Sequence, residues 1–241
     1  MTRSNHTFND QLHGWFWLPI LLLVLLIFAS LFLSNEEYFR WLGNERTGIL
    51  EISQVVLPCI SVVLALSILC HGNLTRFSWL WFWIAIAALS SLYIAGEEAS
   101  WGQHWFLWET SENWASLNDQ AETNLHNTSS WFDQKPRLIL EIGVIVGGII
   151  LPLIQHYKPG LIRKPILIIV PTLVLMPTAI IAELSRRGEQ FFEKLGVSSH
   201  LFPRSSEVQE LFFALFILLY LILIKQRLNN ADIRYPVKGW Q

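Results

Sequence analysis

The chain has 241 residues, of which 52% are hydrophobic and 15% charged, with 12 Trp and a formal net charge of -2. A soluble domain carries about 25% charged residues, so the deficit points to lipid as the solvent for most of the chain. A slightly acidic chain offers no basic surface to a phosphate backbone, which excludes a nucleic-acid partner and leaves membrane lipid as the expected one.

Six apolar runs approach the ~20 residues that cross a bilayer core. They predict an all-α fold, a polytopic six-transmembrane-helix bundle forming a single membrane domain over residues 1–241. Residues 1–14 are a polar lead. Span one, 15–34, opens on Trp15 and Trp17 and exceeds the short apolar core of a signal peptide, so it reads as an uncleaved anchor. A short acidic loop leads to span two, 49–70, with Glu51 in its first turn and a kink expected at Pro58. Its cysteines, Cys59 and Cys70, stand about 16 Å apart along a helix, too far for a disulfide. Span three, 78–95, enters through Trp79, Trp81 and Trp83, an interfacial aromatic belt.

Residues 96–137 form a polar, Trp-rich insert expected to cap the bundle outside the membrane. Span four, 138–157, carries Glu141 one turn in, and Gly143 with Gly147 in the GxxxG spacing that admits a close neighbouring helix. The basic loop KPGLIRKP leads to span five, 166–184, interrupted by Pro171 and Pro177 and ending near Glu183. The stretch GEQFFEKLG is expected to lie amphipathically in the interface. Span six, 208–224, is entered past Glu207 and contains Glu210, and a basic tail follows. With six spans both termini share a side. Lys plus Arg total nine there against eight opposite, but the short loops weigh most, which favours cytoplasmic termini in a bacterial inner membrane.

The acids are more lopsided: 17 of the 19 fall on the side opposite the termini. Five helices bring one there, Glu51 at the start of span two, Glu97 and Glu98 after span three, Glu141 in span four, Glu183 ending span five, and Glu207 with Glu210 opening span six. A carboxylate at membrane depth costs about 2.5–3.5 kcal/mol or more and ordinarily faces the bundle interior or a water-filled cavity. Taken singly, these acids have a blander account. Those at helix starts favour the macrodipole, and Glu183 can pair with Arg186 or Arg187.

The insert reads GEEASWGQHWFLWETSENWASLNDQAETNLHN. If span three continued as helix, Glu97, Trp101, His104 and Trp108 would share one face, and Glu122 with His126 would form an i, i+4 pair. Glu98, His104, Glu122 and His126 could together hold a divalent cation such as zinc or iron, because imidazole and carboxylate suit both. No HExxH, HxxxH or Cys ligand accompanies them. Each histidine taken alone reads more simply as a hydrogen-bonding member of a Trp-rich cap.

The pair GEEASWGQ and ETNLHN resembles a signature of bacterial multi-pass membrane proteins, a resemblance that implies the membrane fold and no particular activity. The doubled Glu also resembles that of the intramembrane CAAX-type proteases. Here, however, the arginine position of EExxxR is Gly102, no histidine has Phe four residues before it, and the sole HxxxD or HxxxN match, His6 with Asp10, precedes the doubled Glu. The HxxxH of alkaline ceramidase-like hydrolases is absent.

The leading expectation is a membrane-embedded enzyme, a hydrolase or transferase, acting on a lipid or lipid-linked substrate at the outer membrane face. Glu97 or Glu98 would be its general base or metal ligand, and His104, Glu122 and His126 its ligands or proton shuttles. Glu51, Glu141, Glu183, Glu207 and Glu210 would be supporting carboxylates. The alternatives are a proton- or ion-coupled transporter using the same acids, and a non-catalytic assembly protein binding a partner through its tryptophans. Adjacent helix positions point about 100° apart. Glu97 is therefore expected to serve the cap histidines, and Glu98 to be the acid held by other helices, whose loss lowers stability.

Overall fold

A computed structural model describes residues 13–44, 46–70, 78–118, 121–163, 166–195, 202 and 204–234. It is 81% helical, with no strand among the described residues. Six segments are long and apolar enough to cross a membrane: Gly14–Phe32, Ile49–Leu69, Ser78–Glu98, Gln134–Tyr157, Ile166–Phe191 and Ser205–Asn229. The protein is an integral multi-pass membrane protein with an all-α six-helix bundle.

Helix α1, His13–Phe32, is followed by a short polar helix α2, Asn35–Trp41. The start of α2 is fixed by a capping box: Ser34 Oγ accepts from Glu37 N–H, and the Glu37 carboxylate accepts from Ser34 N–H at 2.9 Å. This satisfies two N–H groups that the first turn leaves without helical partners. Helices α3, Ile49–Leu69, and α4, Ser78–Glu98, pack along each other as an antiparallel pair. Between α4 and the next span the described residues of the insert form only short turns of helix: α5, Gln103–Phe106, α6, Glu112–Ala115, and 3-10 turns at Ser100–Gly102 and His126–Thr128.

The fourth span is a rod of α7, Ser130–Val144, a π-helical stretch, Ile145–Ile150, and α8, Leu151–Tyr157. Pro152 cannot donate to the carbonyl of Gly148 and its ring crowds that oxygen, so the turn before it widens. The GxxxG spacing does not mark a helix contact. Gly143 and Gly147 admit no neighbouring helix, since a Cβ on either would meet nothing within 4 Å. The close approach falls on Gly148, where a Cβ would stand 2.5 Å from Ala179 and 2.7 Å from Phe216.

The fifth span is not one helix. Residues 166–175 run as two 3-10 turns around Pro171, and only then does α9, Met176–Lys194, begin, with Pro177 at its second position, where a missing N–H matters little. The GEQFFEK residues continue α9 instead of forming a separate interfacial piece. Helix α10, Ser205–Arg234, is the axis of the bundle. Of its apolar window 67% is buried inside the protein, against 11% for α1, so α1 is peripheral and α10 central. It packs on α9 and α3, and Phe212, Phe213, Phe216 and Leu219 build the core between them.

Candidate functional site

Helix α4 stops at Glu98 because the chain turns left-handed immediately after it. Ser100, Trp101 and Gly102 take φ of 44°, 54° and 104°. Every non-glycine residue of positive φ among the described residues, Ser100, Trp101, Leu107 and Ala121, lies in this insert. Each such turn costs about 1–2 kcal/mol for an L-residue and persists only where the surroundings over-determine it. Trp101 shows how that is done. Its ring folds back over Gly96, where any Cβ would stand 2.8–2.9 Å from ring atoms, and its indole donates to Glu97 Oε1 at 2.8 Å. Glu97 Oε2 accepts from the Leu125 N–H at 2.6 Å. With 3% of its surface exposed and both oxygens engaged, Glu97 is the bolt that fastens the insert to α4.

A second knot lies beside it. Ser100 Oγ donates to Glu122 Oε2 at 2.8 Å, His104 Nε2 lies 2.9 Å from Glu122 Oε1 and 3.1 Å from Ser100 Oγ, and Asn124 Nδ2 donates to both Ser100 and Glu122. Serine, histidine and glutamate meet here, but not as a nucleophilic triad, which needs the two ring nitrogens of the histidine to serve different partners. Here one nitrogen touches both, and the Ser100 hydroxyl is already spent on a carboxylate. Burial pushes the Glu122 carboxyl up, but hydrogen bonds from His104 and Ser100, with the His104 charge behind them, outweigh it and hold Glu122 below the usual carboxylate range.

The single helical face expected for Glu97, Trp101, His104 and Trp108 is therefore not formed. Glu97 keeps Trp101, while His104 meets Glu122 from across the insert. Glu122 lies outside any helix, and the side chain of His126 lies outside the described residues.

A cavity of about 1350 Å³, lined in part by Glu97, His104, Glu122 and Asn124 of the knots, opens between α4, the fourth span and α10. Its polar end takes in Glu51, Gln54, Glu98, Glu207 and Glu210. Its apolar flank runs down between α4 and the fourth span past Ile86, Leu89, Ile139, Ile142 and Val146, all of them exposed on the outside of the bundle. Gly143 and Gly147, which face no helix, line this flank.

The acids of five helices do converge, but into two groups. Glu141 and Glu183 share Arg187, at 3.1 and 2.8 Å, as the local pairing had suggested for Glu183, and Gln209 donates to Glu141 at 3.3 Å. At the cavity head, Arg204 bonds Glu207 at 2.8 Å, lies 3.6 Å from Glu51 and donates to the Gly43 carbonyl at 2.8 Å, while Arg137 pairs with Glu210. Glu98 has Glu210, Glu51, Glu207 and Arg137 as its charged neighbours, yet makes no hydrogen bond or ion pair of its own among the described residues. Among the described residues no three His, Cys, Asp or Glu side chains stand close enough together to hold a metal ion, so Glu98, His104 and Glu122 do not form the expected ligand set.

Sequence reasoning missed Arg137, Arg204, Gln54, Ser100 and Asn124. Arg204 could have been found, standing three residues before Glu207 at a helix entry. Gln54 matters through Glu207, far away in sequence, and Asn124 through joining Ser100 to Glu122 across the insert. Comparison with protein-family models, with curated proteins and with solved structures gives no match. Fold and site together define the class: a six-span helical membrane protein with an acid-headed cavity that opens sideways between two helices.

Proposed function

We propose that the protein is a membrane-embedded enzyme that transfers or hydrolyses the headgroup of a lipid or lipid-linked substrate. The observation that supports this is the cavity, which joins a charged end to an apolar lateral gap in one volume. An amphiphile needs both, with its head among the carboxylates and its tail along Ile139, Ile142 and Val146.

Glu98 is the proton carrier. It lines the cavity without a hydrogen-bonding partner among the described residues, so its carboxylate is available to take the proton from an attacking water or alcohol and return it to the leaving oxygen. Glu97 and the Ser100–His104–Glu122 knot position the insert above it. The proposed setting is a bacterial inner membrane, with the cavity head outward and both termini cytoplasmic. Reporter fusions at Asn73 and Asn118 should then fall on opposite sides, Asn73 inside, and the same side for both would contradict the topology.

The test of activity is incubation of the purified protein in vesicles with labelled total membrane lipid. A lipid species should be converted by the wild type and not by Glu98→Gln. Unchanged lipids, together with a pH-driven flux that Glu98→Gln abolishes, would replace the enzyme with a carrier.

A further inference from the structure

Negative side chains outnumber positive ones around the cavity. Six Glu side chains line the cavity against three Arg, and two of those arginines, Arg137 and Arg204, are committed to Glu210, Glu207, Glu51 and a backbone carbonyl. Glu98 is left without a donor among the described residues. So is Gln54, which is only 1% exposed and lines the same cavity. Its Nε2 donates to the Glu207 backbone carbonyl and to Glu207 Oε2, both at 2.9 Å, and its Oε1 has no partner among the described residues. Flipping the amide does not help, because both groups at the Nε2 position are acceptors and fix which end is nitrogen. A buried acceptor without a donor is destabilised by about 1–3 kcal/mol and calls for an explanation. An unpaired carboxylate beside three others calls for one more strongly.

One ligand chemistry answers both. We infer that the polar end of the cavity binds a cationic amine group, with Glu98 and Gln54 Oε1 accepting its N–H protons. This rests on the lipid reading above and narrows it to lipids with an amine-bearing headgroup. An ammonium supplies three donors and a positive charge where the protein presents acceptors and net negative charge. The third arginine, Arg186, lines the same cavity without an ion pair of its own among the described residues, and offers a counter-charge to a phosphate beside the amine. The apolar flank makes a lipid the favoured carrier of that amine, and a free amine is the other source.

The full chain in detergent is titrated with short-chain phosphatidylethanolamine, with its N-acetylated form, and with free ethanolamine, binding being read by native mass spectrometry and thermal shift. The N-acetylated lipid carries a neutral, slightly larger amide in place of the ammonium. It should bind at least about tenfold more weakly than its parent, the loss of one charge-assisted hydrogen bond and ion pair. Glu98→Gln should remove that discrimination. Free ethanolamine binding as tightly as the lipid would keep the amine site and remove the lipid from it. Equal binding of the lipid and its N-acetylated form by the wild type, a comparison that needs no variant, would overturn the amine site and leave the lipid reading standing.

Discussion

On the proposed reading two adjacent glutamates divide the work of the site: Glu97 bonds the insert and Glu98 faces the acids of other helices, but among the described residues it is Glu97, not Glu98, that is held by partners. Glu97 is buried and holds both Trp101 and the Leu125 N–H, so it is the structural acid. Glu97→Gln leaves at least one donor facing an amide nitrogen and should lower stability by about 1–3 kcal/mol, read as a fall in Tm. Glu98→Gln removes an unpaired carboxylate from a cluster of acids and should leave Tm level or higher while activity is lost. A larger fall in Tm for Glu98→Gln would restore the original assignment. Glu122 carries a pH dependence whose sign follows from its depressed pKa. Its contribution is present above the unfolded carboxyl value and is lost as pH falls through the lower folded one. The tryptophan fluorescence of the insert should therefore hold steady from pH 7 to about 5 and change only below about 4, since Trp114 donates to the Glu122 carbonyl and Trp108 to Thr123. A transition centred near pH 6.5 would instead assign the switch to a histidine. That the two acids face different ways was legible from helix geometry, but which of them finds partners was not, because that depends on a helix that stops at Glu98. The stop comes from the left-handed turn at Ser100 and Trp101, residue types with no strong preference for one.

At the scale of elements, the spans were legible and their interruptions only partly so. Runs of about 20 apolar residues mark the helices because lipid demands internal hydrogen bonding. The same demand explains what the sequence hid in span five. Unwinding 166–175 leaves carbonyls exposed at membrane depth, and α10 satisfies them: Arg227 Nη1 donates to the carbonyls of Leu167, Ile168 and Val170 at 2.9, 3.0 and 2.7 Å, and Tyr220 donates to that of Ile169 at 2.9 Å. Trp83 in turn donates to the Tyr220 hydroxyl at 2.9 Å. Pro171 announced a break, but an arginine in what reads as a basic tail gave no sign of being 2% exposed and holding that break in place. Arg227→Met preserves bulk and removes the donors. It should destabilise the protein by about 3 kcal/mol or more through three carbonyls left without a donor, measured as loss of folded protein on heating in detergent. A change below about 0.5 kcal/mol would show that the broken span needs no such support.

For the molecule as a whole, the alternation of acids between helix starts and helix ends was the most informative pattern in the sequence, since an up-down bundle turns it into one acidic level. What the pattern could not show is that this level splits in two, with Glu141 and Glu183 closed by Arg187 and the rest heading a cavity. The cavity is the central claim, and its apolar flank can be filled without touching any polar residue. At Gly147 a Cβ meets nothing within 4 Å, and replacing a helical glycine removes an entropic penalty of about 0.5–1 kcal/mol. The most direct measurement is therefore conversion of labelled membrane lipid by Gly147→Leu beside the wild type, with Tm determined on the same samples. The account predicts unchanged or raised Tm with conversion reduced at least about tenfold, because the leucine occupies the channel for the tail. Full conversion by a folded Gly147→Leu protein would contradict it.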